Sequence, residues 1–195
     1  MRTFPLSTAP RAVSALLSRA RRVTLHGPGA SALSLQFAAE AACDNSTVTY
    51  LCGDNRFDPY AIARLARRCR RRQEDVLARI LVARAFTCFQ LGELIERLRP
   101  EDVSGPVIVT GICSAFLDED LSHRDAARLF YRVLWRLADL ADRGAALLLC
   151  ESDAIASARR GYFLTDLFQA SNFILRLDGT PCYTLEMRHD RALLQ

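Results

Sequence analysis

Residues 23–42 read VTLHGPGASALSLQFAAEAA, and the order of their parts decides the fold class. VTLH (23–26) is a short apolar strand. Gly27, Pro28 and Gly29 turn the chain. SALSLQFAAEAA (31–42) then has the apolar spacing of a helix buried on most of its sides. A strand, a glycine turn and a helix, followed by more of the same alternation, predict an α/β domain on a mainly parallel sheet.

Reading outward, TVTYLC (47–52) is the next strand, GDNRFDP is a loop, and a helix runs from Tyr60 to Arg72 with Ile62, Leu65 and Cys69 on one face. RILVARAF (79–86) is a third strand, and Thr87 with Gln90 resembles a capping box opening a helix to Leu98, which Pro100 ends. PVIVTGI (106–112) is apolar enough for a central buried strand. Ser122 caps a long helix carrying Leu129, Val133, Leu137 and Leu140, and Gly144 stops it. AALLLC (145–150) is another central strand, while FILRL (173–177) and CYTLEMR (182–188) form a terminal hairpin around Asp178-Gly179.

With 195 residues, half of them apolar and a quarter charged, the chain builds one ordinary domain, expected over 21–195. Residues 1–20 are rich in Arg, Ser and Ala and are expected to be a loose tail or a short helix. Their apolar runs are too short for a signal peptide or a membrane span, so a cytoplasmic protein without a membrane partner is expected. A mitochondrial presequence would share that Arg-rich, acid-poor composition. Seven cysteines stand singly without a CxxC pair, and three histidines lie far apart. They read as core residues rather than a disulfide framework or a metal site. All 26 basic side chains are arginine, since the chain contains no lysine, and the net charge of +4 is too small to indicate nucleic acid by itself.

From the glycine turn through YLCGDNRFDPYAIARLARRC to QEDVLARILVARAFTCFQL, the sequence resembles the ATPase core of the RecA-like strand-exchange recombinases and their paralogues. The likeness spans roughly residues 22–190 and is sharpest from Asn55 to Leu91. It implies a RecA-like P-loop core: three layers, α/β/α, on a mainly parallel sheet with a C-terminal hairpin. It also implies a place in DNA repair by recombination.

Phosphoryl transfer on that scaffold needs backbone amides at a helix N-terminus, a lysine for the β and γ phosphates, and a hydroxyl for Mg²⁺. The matching stretch is Gly27-Pro28-Gly29-Ala30-Ser31. Ser31 keeps the hydroxyl, Ala30 stands where the lysine belongs, and the loop is about two residues short. The Mg²⁺ aspartate of the family falls on Thr110 or Gly111, and its water-activating glutamate on Asp54. Departures at three catalytic places imply a pseudo-ATPase with degenerate Walker A and Walker B motifs. No catalytic residue, cofactor or metal is expected, although the helix N-terminus leaves weak ATP and Mg²⁺ binding open.

Two regions carry the candidate contacts to single-stranded DNA. Arg68, Arg71 and Arg72 lie in the densest basic run, with Arg64, Arg68 and Arg71 on one helical face; a solvated face paired to Glu74 and Asp75 is the competing reading. In the family, DNA is held by loops after the last two central strands. The first here is acidic at Asp118, Glu119 and Asp120, which argues against DNA, while the second sets Arg159 and Arg160 beside Tyr162 and Phe163. Tyr162, Phe163 and Phe168 have an equally good reading as core of the following helix.

The resemblance thus implies a non-catalytic RecA-like accessory that forms homo- or hetero-oligomers with a RecA-like or DNA-processing partner through the edges of its core. Two alternatives stay open: a scaffolding or regulatory module that does not bind DNA, and an ATPase completed in trans by a partner.

Overall fold

The computed structural model describes residues 2–117, 121–152, 161–179 and 182–187. Its strands are β1 (Arg2–Pro5), β2 (Arg22–His26), β3 (Val48–Cys52), β4 (Ile80–Arg84), β5 (Val107–Thr110), β6 (Leu147–Glu151), β7 (Phe173–Leu177) and β8 (Cys182–Met187). They form one sheet in the order β1-β8-β7-β2-β6-β5-β3-β4. The six strands from β7 to β4 are parallel, whereas β8 runs antiparallel to both β7 and β1. The α-helices are α1 (Ala9–Arg19), α2 (Ala30–Cys43), α3 (Pro59–Arg68), α4 (Gln73–Leu77), α5 (Cys88–Arg97), α6 (His123–Asp142) and α7 (Tyr162–Gln169).

Side chains alternate across a strand, so a strand that is apolar at every position must be covered on both faces. Tyr50, Ile108, Leu148 and Cys150 pack into the layer of α1 to α4. Leu51, Val109, Leu147 and Leu149 pack into the layer of α5 to α7. The chain therefore winds from β2 out to β3 and β4 with helices on one face, then returns through β5, β6 and β7 with helices on the other. This reversal sets the ends of β3 and β5 side by side with their following helices on opposite faces, a place where open α/β sheets hold ligands.

Several expected boundaries shift. The helix expected over 60–72 ends at Arg68: Arg71 N donates to Ala66 O at 3.0 Å with Arg70 left-handed at φ 56°, a Schellman stop made by a non-glycine residue, and α4 follows. The strand expected over 79–86 is β4, an edge strand whose Leu81 and Val82 are exposed. Thr87 caps α5 by accepting from Gln90 N at 3.2 Å, but Gln90 Oε1 accepts from Phe86 N, one residue beyond the Thr87 amide that a full capping box uses. Ser122 caps α6 and the terminal hairpin forms as expected. The first twenty residues hold a strand paired to β8 and a helix that buries Ala9, Val13, Leu16 and Leu17.

At the C-terminal edge of the sheet, the first residue past β2, β3 and β5 is glycine: Gly27, Gly53 and Gly111. Each donates its amide to a neighbouring strand, Gly53 to Thr110 O (2.8 Å), Gly111 to Cys150 O (2.9 Å) and Gly27 to Glu151 O (3.0 Å). A Cβ would lie 1.9 Å from Leu177 O at Gly27, 2.8 Å from Thr110 O at Gly53 and 2.6 Å from Asp54 N at Gly111. Gly29 differs: its φ is +87° but a Cβ there would meet nothing within 4 Å. Gly27→Ala should therefore destabilise the fold by more than about 3 kcal/mol, because backbone of β7 must move. Gly29→Ala should cost only about 1 kcal/mol, the left-handed penalty of a Cβ. Urea unfolding of the two variants checks this order, and equal losses would contradict it.

Candidate functional site

Asp54 leaves the end of β3 directly under the N-terminus of α2. Its Oδ2 accepts from Ser31 Oγ at 2.6 Å, and its Oδ1 accepts from Thr110 Oγ1 (2.8 Å), Arg56 N (3.1 Å) and Cys52 Sγ (3.4 Å). Three of the residues singled out from the sequence, Ser31, Asp54 and Thr110, thus meet in one cluster, although they come from three separate elements. A carboxylate needs donors when water is partly excluded, and here two hydroxyls, a thiol and an amide supply them. Among the described residues no cationic side chain bonds the carboxylate; Arg56 contributes only its backbone amide.

Beneath the cluster lies a buried polar pair that locks α2 to β3. Ser34 Oγ lies 2.8 Å from Tyr50 Oη, and Ser34 also donates to Ser31 O at 2.8 Å. Burial pushes the Tyr50 phenol above its ordinary range, so it stays a neutral hydroxyl.

The turn before α2 holds Gly27, Pro28 and Gly29 between His26 and the first helical residue, Ala30. The Gly27 amide is committed to Glu151 O, Pro28 has no amide hydrogen, and Ala30 N donates back to Gly27 O at 3.1 Å. Phosphate cradles depend on several converging free amides, and this turn has committed most of its own. Gly29 and the first-turn amides of Ser31 and Ala32 are what the backbone offers an anion.

Glu151, at the end of β6, is the residue that sequence reasoning missed. Only 2% exposed, it accepts from Cys113 N (2.6 Å), Ser114 N (3.1 Å), Ser114 Oγ (2.7 Å) and Ser152 N (3.0 Å). It fastens the turn after β5 to β6. Burial nevertheless raises its carboxyl above the ordinary carboxylate range, against the pull of those hydrogen bonds. The signal in the sequence was a glutamate closing the apolar run LLLCE, which only a folded partner turn could satisfy.

The candidate DNA residues separate. Arg159 and Arg160, with the acidic Asp118, Glu119 and Asp120, lie outside the described residues. Tyr162 opens α7, its ring 4.4 Å from Phe163 and its hydroxyl 3.3 Å from His123 Nε2. Phe163 and Phe168 are buried, so the core reading holds for those two, whereas Tyr162 is half-buried. The expected common face of Arg64, Arg68 and Arg71 does not form, because Arg71 lies beyond the left-handed Arg70. Arg64 instead pairs with Asp58 at 3.4 Å and Arg72 with Glu74 at 3.8 Å, while Arg68 is exposed. The cysteines are buried except for exposed Cys69 and half-buried Cys182, which corrects the reading of all seven as core. Among the described residues, no three His, Cys, Asp or Glu side chains gather as a metal site, and no helix is long and apolar enough to cross a membrane.

The chain matches no family model and no curated protein.

Because the folded Glu151 carboxyl has a raised pKa, the fold holds its proton more tightly than the unfolded chain does. Its contribution to stability is full below the ordinary value of 4.5 and is lost as pH rises through the folded value. Wild type should accordingly lose stability relative to Glu151→Gln as pH is raised from about 4 toward neutrality, read from paired denaturation midpoints. A gap that is constant over that range would show that burial does not govern this carboxyl.

Proposed function

We propose that this chain is a RecA-like core that has given up nucleotide hydrolysis and serves as a non-catalytic accessory in recombinational DNA repair, assembling with a RecA-like partner. The observation that carries the first half is the closed hydrogen-bond set on Asp54. The hydroxyl at the Mg²⁺ position, Ser31, is spent on the carboxylate at the water-activating position. The residue at the Mg²⁺-aspartate position, Thr110, is a donor to that same carboxylate. A metal and an incoming phosphate would have to break both bonds, and without lysine the chain has no ammonium to offset the phosphate charge. The likeness of residues 22–190 to strand-exchange recombinases supports the family and the repair role, and the parallel sheet with its reversal next to Asp54 agrees with such a core.

Assembly is supported by the β4 edge. Leu81 and Val82 on the strand and Phe86 and Phe89 just beyond it are exposed, up to 72% for Phe86. Their arginine neighbours turn back onto their own chain, Arg79 to Asn45 O and Arg84 to Asn55 Oδ1 and Phe57 O. An unpaired strand edge flanked by apolar side chains suits an extended apolar segment of a partner, added as a further strand.

The purified chain should not hydrolyse ATP with Mg²⁺ above the buffer rate, and Asp54→Asn should change nothing. Hydrolysis by the chain alone that Asp54→Asn abolishes would overturn the reading, and hydrolysis appearing only with a RecA-like partner would favour completion in trans. Phe86→Ser with Phe89→Ser should lower affinity for such a partner by at least tenfold, about 1.4 kcal/mol, by titration calorimetry. Unchanged affinity would remove β4 from the account, and a concentration-dependent loss of dimer in sedimentation would point to self-assembly instead.

A further inference from the structure

At the opposite end of the sheet from Asp54, Cys43 is the last residue of α2 and Cys69 caps the C-terminus of α3. Both line a groove of about 1000 Å³ between α1, the end of α2 and the turn after α3, and Arg71 lines it beside them. Cys69 lies close enough to Cys43 to act electrostatically on its thiol. Cys43 is buried, whereas Cys69 is the one exposed cysteine of the seven. The segment between them contains β3, Asp54 and α3.

We propose that Cys43 and Cys69 form a redox pair, in which a peroxide oxidises Cys69 and Cys43 then closes a disulfide that staples the end of α2 to the end of α3. The Cys69 thiol gives up its proton, its sulfur attacks one oxygen of hydrogen peroxide, the O–O bond breaks, the departing hydroxide takes up that proton as water, and Cys69 becomes a sulfenic acid. The Cys43 sulfur attacks the sulfenic sulfur, the S–O bond breaks, and the departing hydroxide takes up the thiol proton as a second water. Two thiols lose two electrons and one peroxide gains them.

The roles follow from access. Burial and the neighbouring Cys69 push the Cys43 thiol up to about 12, so it waits as a thiol, while Cys69 is the sulfur that an oxidant in solution meets first. Both cysteines sit at helix ends, each followed by a left-handed residue, Asn45 after α2 and Arg70 after α3. Terminal turns can shift toward the short S–S bond more readily than helix interiors can. The closed ring would hold β3, and with it Asp54, against α2.

The test uses the full chain, reduced and then exposed to hydrogen peroxide, followed by non-reducing digestion and mass spectrometry. Trypsin releases Cys69 with Arg70 and leaves Cys43 with Cys52 on one fragment, which chymotrypsin splits after Tyr50. The expected result is a Cys43–Cys69 linked peptide as the main disulfide, reversed by dithiothreitol, and lost in Cys69→Ser. That substitution is at an exposed position and leaves the core intact. Cys69 recovered as sulfinic acid or joined to any other cysteine, with Cys43 still reduced, overturns the proposal. So does a chain left fully reduced at a peroxide dose that oxidises free cysteine.

Discussion

The close approach of loops at the C-terminal edge of the sheet is the constraint on which the rest depends. Three of the parallel strands, β2, β3 and β5, continue as glycine at this edge, and each glycine amide extends the ladder of an adjacent strand by one bond. A side chain at any of the three would meet backbone at less than 3 Å. Because these positions are bare, Asp54 comes down onto Thr110 and Ser31 rather than standing off in solvent. The same approach brings the turn after β5 onto Glu151. The site is thus a product of backbone packing before it is a product of chemistry, and the glycines at 27 and 111 have a structural reason to be there that requires no ligand.

Packed this way, the edge holds two acidic groups that are satisfied by neutral donors. Asp54 takes hydroxyl, thiol and amide hydrogens, and Glu151 takes three amides and a hydroxyl. Carboxylates arranged to hold a cation keep lone pairs turned toward open space. These have turned theirs inward to the protein. The arrangement stabilises loop positions and leaves little directed chemistry, which is why the reading of function rests on assembly and not on turnover.

The sheet was largely legible in the sequence because its central strands are apolar at successive positions and end in glycine or a short polar turn. The caps at Thr87 and Ser122 were legible for the same local reason: a hydroxyl residue preceding an apolar-periodic stretch. What was not legible is non-local or depends on an unusual residue. Arg70 adopts the left-handed conformation that glycine normally marks, so the end of α3 and the start of α4 carried no warning. Hydrophobicity marked RILVARAF as a strand, and it gives no sign that β4 has a neighbour on one side only. The pairing of β1 with β8 joins the two ends of the described chain, a contact that no local pattern encodes. Ser31, Asp54 and Thr110 were singled out through the recombinase resemblance, yet their bonding to one another emerged only from the fold.

The two edges of the sheet are unequal, and that inequality bears on how such a core would assemble. At one end, β1 is four residues long and includes Pro5, which cannot donate to an added strand. At the other, β4 has an open backbone and exposed apolar side chains, continued by Phe86 and Phe89. A filament grows only when each subunit carries two complementary surfaces, so that every addition regenerates the face that it covers. A core with one receptive edge and one blunted edge accepts a partner without offering the next one an equivalent strand. Joined to a neighbour through β4, it would sit at the end of an assembly or in a closed pair, as the proposed accessory role requires.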